Sequence, residues 1–206
     1  IMKTKTLRNI FLSVFLAGMV TTGSAQGPAL LIKESQMKIS GTSNLHDWHE
    51  VAEDFTIELK LTSDDSFSPV IEKVTLICKS ASIRSDNSIM TNKTHDALKV
   101  GSHPEIKFAS SQVSALQLQS GGFSSAITGE LTINGIKKQV TVPVEGALDG
   151  NRLTVKGAKK VLMSDYGIKA PTALMGTLKT GDEVTVSFDL KFEIPSNNVI
   201  ITALNK

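Results

Sequence analysis

Alternation of apolar and polar residues dominates the chain from residue 37 onward. Phe55-Thr56-Ile57-Glu58-Leu59-Lys60-Leu61-Thr62 alternates without a fault, the period of a strand with one oily and one wet face. Near the far end Val184, Val186, Phe188, Leu190 and Phe192 alternate in the same way with Thr185, Ser187, Asp189, Lys191 and Glu193. Between them, patterned runs over 37–42, 70–83 (bent near Lys79-Ser80), 106–118, 123–133, 136–144 and 153–162 are bounded by Gly, Pro, Asn or Asp. The sharpest local feature is Asn134-Gly135, a pair suited to a two-residue type I′ turn because both residues tolerate positive φ. That turn sets Ile133 opposite Ile136, Gly129 opposite Val140 and Ile127 opposite Val142. Thr128, Glu130, Thr132, Lys137, Gln139 and Thr141 then fall on the other face.

Two stretches break the rhythm. Residues 86–100 read as a helix of about 87–99, with Asp86 as N-cap and with Ile89, Lys93, Ala97 and Met90, Thr94, Leu98 as adjacent stripes. His103-Pro104 follows, where the residue before proline is pushed out of helical space. A loop with one helical turn is expected near 170–180, around Pro171 and Gly176. About eight strands at this spacing predict an all-β antiparallel barrel or sandwich. An eight-stranded barrel encloses just enough room for side chains or one small ligand.

The N-terminal stretch follows another rule. Lys3, Lys5 and Arg8 precede an apolar run from Ile10 to Val20 and the small residues Gly23-Ser24-Ala25, the order of a cleaved export signal. The run is shorter than the roughly 20 residues of a membrane span. The expected plan is a signal peptide over 1–25, a barrel domain over 26–195 and a C-terminal tail over 196–206, in a periplasmic or secreted protein. The chain has 22 basic and 20 acidic residues, and loss of Lys3, Lys5 and Arg8 leaves 19 against 20. No basic field for nucleic acid remains. Cys78 is the single cysteine, which excludes an internal disulfide and suits an inert, buried strand position.

Three motifs in order give a family likeness. They are His103-Pro104-Glu105-Ile106-Lys107-Phe108 after the helix, the hairpin Gly129-Glu130-Leu131-Thr132-Ile133-Asn134-Gly135-Ile136-Lys137-Lys138-Gln139-Val140, and Ser164-Asp165-Tyr166-Gly167-Ile168 followed by Gly181-Asp182-Glu183-Val184. Together they resemble the YceI-like family of lipocalin-like, polyisoprenoid-binding proteins, over residues 37–194. The resemblance implies an extended antiparallel eight-stranded lipocalin-like barrel, exported, whose long apolar interior holds an isoprenoid chain or a related amphiphile. Ser164 stands where many members carry Arg, and Lys137 where Thr is frequent, so a head-group preference does not carry over with the fold.

The apolar inward set comprises Phe55, Ile57, Leu59, Phe108, Ile127, Leu131, Val140, Val142, Val186, Phe188 and Leu190. A filled core and a lined cavity would both use these residues. Phe, Trp and Tyr are only 5% of the chain, which leaves Val, Ile and Leu to face the interior. Burying a tail of about ten methylenes would release roughly 8 kcal/mol before entropy costs. His46, Asp47, Trp48 and His49 form the concentrated polar-aromatic cluster, with His46, Asp47 and Trp48 read as a head-group or lid site at the barrel mouth, or the whole as a turn plugged by the indole. Lys138 falls on the inward face beside Leu131, two residues from the turn. There it can snorkel over the rim or meet an anionic head group. His46 with His49 would need a third ligand to hold a metal. His103 reads as a cap at the helix C-terminus, and His95 as facing solvent.

No Gly-x-Ser-x-Gly elbow, phosphate-cradling loop or Cys-x-x-Cys pair occurs, and Asp64-Asp65 reads as a solvated turn. The expectation is a non-catalytic barrel that carries an isoprenoid, quinone-like or acyl amphiphile, with no cofactor beyond the bound lipid. Nucleic acid and stable membrane insertion are not expected, and a homodimer is the assembly to test. Two rivals remain: a packed structural barrel acting through its surface or the apolar tail near Val199, and a periplasmic metal-binding protein using His46 and His49.

Overall fold

A computed structural model describes residues 29–63 and 69–194. The stretch over 1–25 read as an export signal, the Asp64-Asp65 pair read as a turn and the tail over 196–206 lie outside those residues. The strands are β1 (Leu30–Leu31), β2 (Gln36–Ser43), β3 (Trp48–Ala52), β4 (Phe55–Ser63), β5 (Pro69–Lys79), β6 (Ile83–Arg84), β7 (Glu105–Val113), β8 (Gln117–Gln119), β9 (Gly122–Ile133), β10 (Ile136–Asp149), β11 (Arg152–Leu162), β12 (Thr172–Ala173) and β13 (Leu178–Glu193). One helix, α1 (Ser88–Leu98), lies between β6 and β7. No helix among the described residues is long and apolar enough to cross a membrane.

The sheet runs antiparallel in the order β4-β5-β7-β9-β10-β11-β13-β2-β3-β6, and its curled sides are linked by short backbone contacts. At one end of the seam β1 joins the two sides: Ala29 bridges to Leu59 of β4, while Leu30 and Leu31 pair with Glu193 and Phe192 of β13. At the other end a 3-10 turn over Ser80–Ser82 joins β5 to β6. There Lys79 N donates to Asp54 O at 3.0 Å and Glu53 N to Ser82 O at 3.1 Å. Curling in this way covers edges that would otherwise invite pairing with another chain.

The architecture is the all-β, lipocalin-like barrel expected, in 13 strands rather than about eight. The extra pieces come from interruptions of longer runs and from short flanking strands. The 70–83 run breaks where the Ser80 hydroxyl donates to His103 O at 2.9 Å. The last strand starts at Leu178 instead of Glu183 and absorbs a register shift between Thr180 and Val184. Trp48 and His49, read as part of a turn or mouth, instead begin β3, which pairs with β2.

The Asn134-Gly135 hairpin has the expected register, with Ile133 opposite Ile136, Gly129 opposite Val140, Ile127 opposite Val142 and Leu131 opposite Lys138. Asn134 (φ 52°) and Gly135 (φ 75°) both sit at positive φ, as a type I′ turn requires. The helix cap is one residue later than expected. Asn87 is extended at φ −97°, ψ 110°, and its Oδ1 accepts from Ile89 N at 2.9 Å and Met90 N at 3.2 Å. Asp86 lies one residue too early for that role, since the capping oxygen must reach the N2 and N3 amides. His95 does not face solvent: its Nε2 donates to Ile83 O at 3.0 Å, tying the helix to β6. The His103 ring lies over the hairpin turn at Gly135.

Candidate functional site

The interior of the barrel is hollow. An upper chamber of about 300 Å³ lies beneath α1, and a lower one of about 170 Å³ lies deeper between the sheet faces. Ile39, Ile83, Ile106, Ile133, Val161 and Val186 line both, so the two chambers adjoin at a waist along the barrel interior. The upper chamber alone falls within the usual 300–1,000 Å³ range, roughly, of small-molecule sites.

Alternation on the strands builds the lower wall. Ile57, Leu59, Phe108, Ile127, Leu131, Val140, Val142, Val186, Phe188 and Leu190 all line the lower chamber. Phe55 is the exception, because it packs against the buried clusters beside the bore. Cys78 is buried there as well, and desolvation pushes its thiol up to about 11. Lys159 is the one charged side chain lining this chamber.

Polar groups concentrate at the upper end. The Trp48 indole covers Gly41 so closely that a Cβ there would collide with the ring, and its Nε1 donates to Thr42 O at 3.0 Å. His46 also lines the upper chamber, and its Nδ1 donates to Asp47 O at 2.9 Å. Asp47 itself is exposed in the turn and does not line the bore. Lys138 is not at the mouth: its ammonium pairs with Asp165 at 3.5 Å on the barrel wall. His49 points away from Trp48 because successive strand residues face opposite sides. His46 and His49 are therefore not brought together, and no cluster of three His, Cys, Asp or Glu occurs among the described residues.

Besides Lys159, sequence reasoning missed Glu50. It shares the inward face of β3 with Trp48, is 1% exposed, and lines the upper chamber. Among the described residues the one hydrogen-bond partner of its carboxyl is Thr94 of α1, whose hydroxyl lies 3.0 and 2.9 Å from the two carboxyl oxygens. Desolvation raises the Glu50 pKa above the ordinary carboxyl range, and the Thr94 hydrogen bond opposes this less strongly. A neutral carboxyl can donate to the hydroxyl and accept from it, whereas a buried carboxylate with one partner is costly. Alternation through Trp48-His49-Glu50-Val51-Ala52 carried the clue, since Trp48, Glu50 and Ala52 share one parity. Tyr166, 2% exposed, completes the polar end.

Comparison with known proteins places this geometry. A YceI-like domain matches residues 32–192. A UPF0312 protein of Pseudomonas putida (strain W619) is 31% identical over 122 residues, covering 55% of this chain and 62% of the relative. A UPF0312 protein of Pseudomonas paraeruginosa is 30% identical over 113 residues, covering 51% of this chain and 56% of the relative. The match thus spans less than two thirds of either relative's length. Among solved structures, BcnA of Burkholderia cenocepacia aligns with a TM-score of 0.60 at 21% identity, over 76% of this chain and 95% of BcnA. A polyisoprenoid binding domain from Saccharophagus degradans, implicated in plant cell wall breakdown, aligns with a TM-score of 0.62 at 12% identity, over 82% of this chain and 99% of that domain. At such identities the structural likeness is one of fold. The chain belongs to the YceI-like domain family.

Proposed function

We propose that this chain binds one molecule of a long-chain amphiphile, isoprenoid, quinone-like or acyl, with its apolar chain along the bore. The observation that carries the reading is a pair of adjoining chambers, the lower lined by apolar side chains apart from Lys159 and the upper carrying more polar groups. Each methylene moved from water into such a lining contributes about 0.8 kcal/mol, so a chain filling both chambers could bind tightly without any specific polar contact. Glu50, Thr94 and Tyr166 give the upper end hydrogen-bonding groups for a hydroxyl or carbonyl. A relative in fold described as a polyisoprenoid binding domain supports the same ligand class. The basic, apolar and small-residue order of residues 1–25 supports action outside the cytoplasm.

A barrel with a packed interior, working only through its surface, would leave no such space. Displacement of the neutral fluorophore N-phenylnaphthylamine by long-chain alcohols tests the reading. Saturable uptake near one site per chain, reversed by hexadecanol, is expected. Failure of both the dye and the alcohol to enter would contradict it.

A further inference from the structure

The barrel wall has a side opening. β10 and β11 pair from Val144/Gly157 to Asp149/Arg152 and no further. Beyond that point residues 136–143 bond only to β9, and residues 158–162 only to β13. Pro143 stands at the parting. Without an N–H it belongs on an edge strand, which β10 becomes from there upward.

A cavity of about 250 Å³ fills the gap between the two strands. It shares Val140, Lys159 and Val161 with the lower chamber and Val161 and Tyr166 with the upper one. The opening, a side port in the wall, thus adjoins both chambers through these shared residues.

Charge at the port is unevenly matched. Lys160 pairs with Glu183 at 2.8 Å and Lys138 with Asp165 at 3.5 Å. Lys159 has no ion-pair partner among the described residues, so three lysines face two carboxylates. The register puts Lys159 opposite Val186 and Lys138 opposite Leu131, both partners lining the bore. Both lysines therefore emerge from the inward face of the wall. An unmet ammonium on an apolar lining is unfavourable unless its head reaches water or an anion.

We propose that this port binds the anionic head group, carboxylate or phosphate, of an amphiphile whose tail lies in the bore. Lys159 is the primary contact. Lys138 is a second contact, for which the head group competes with Asp165. The inference rests on the proposed function and deepens it, because it selects anionic amphiphiles over neutral ones and moves the head from the mouth to the side of the barrel.

The test compares palmitate, hexadecyl phosphate and hexadecanol as competitors of N-phenylnaphthylamine, using the folded chain at low salt. Wild type should bind the two anions about tenfold more tightly than the alcohol, the scale of a charge-assisted contact. Lys159→Met should erase that preference while hexadecanol still binds, and that retained binding also shows that the variant is folded. Asp165→Asn, by freeing Lys138, should increase the preference. Equal affinity for anion and alcohol in wild type, or a preference that survives Lys159→Met, overturns the port while leaving the bore intact. Loss of the preference on adding inorganic phosphate alone, with hexadecanol affinity unaffected, marks a free-anion site and overturns the head-group assignment. Failure of hexadecanol to bind at all sinks the bore reading beneath both.

Discussion

Val186→Trp gives the sharpest test of whether the two chambers act as one track. Val186 lies on β13, opposite Ile39 of β2 and Lys159 of β11, and is one of the six residues lining both chambers. An indole at this waist would separate the upper 300 Å³ from the lower 170 Å³. In wild type, each added methylene should improve binding by about 0.8 kcal/mol, roughly fourfold, for as long as new chain enters apolar space. In the variant that gain should stop where the chain reaches the plug. A tail about four methylenes longer than the open chamber would lose about 3 kcal/mol, roughly 200-fold. The substitution should cost less stability than the 1–3 kcal/mol typical, approximately, of overpacking a filled core, because it grows into empty space. Displacement titrations from octanol to octadecanol give the slopes, and urea unfolding gives the stability, with Val186→Phe as a milder plug. An unchanged slope in both variants would refute the single-track geometry, as would a wild-type slope near zero.

Three further outcomes follow from the local physics. Glu50→Gln should flatten the dependence of stability on pH. With its folded pKa raised, Glu50 adds stability that is complete below the unfolded value of about 4.3 and is lost as pH rises through the folded one. Wild type should therefore lose stability relative to the variant on going from about pH 4 to pH 8 in urea titrations, and parallel curves would contradict the burial argument. Cys78, buried and with its thiol pushed up to about 11, should resist a thiol reagent near pH 8 until the chain unfolds. Prompt labelling of folded protein would place the thiol elsewhere. Gly135→Ala should destabilise by about 1–2 kcal/mol. Its φ is +75°, and the new Cβ would lie 2.8 Å from His103 Cε1. An unaltered denaturation midpoint would contradict the turn geometry.

Local rules reached the fold well where one signal decided the geometry. Asn134-Gly135 set a register that then placed Ile127, Leu131, Val140 and Val142 on one face, and all four line the bore. They did less well where two residues compete for one role, as with Asp86 and Asn87 at the helix cap, because only the backbone geometry of Asn87 decides which oxygen reaches the amides. Whether the interior was filled or hollow was not legible, since both use the same alternating residues and differ only in the volume they enclose. Glu50 and Lys159 were hidden for a related reason. A charged residue inside a strand reads as solvent-facing until pairing fixes its parity, and each becomes inward only through tertiary register, Glu50 under α1 and Lys159 opposite Val186. Pro143 did carry its message in the sequence, as a proline within a strand, and the message was an edge.

The most direct measurement is lipid mass spectrometry on an organic-solvent extract of the protein, purified without detergent after expression with its own N-terminal segment. A hollow, oil-lined bore predicts a long-chain amphiphile recovered at about one molecule per chain. Repeated extracts containing none, from protein that also refuses the dye and hexadecanol, would contradict it.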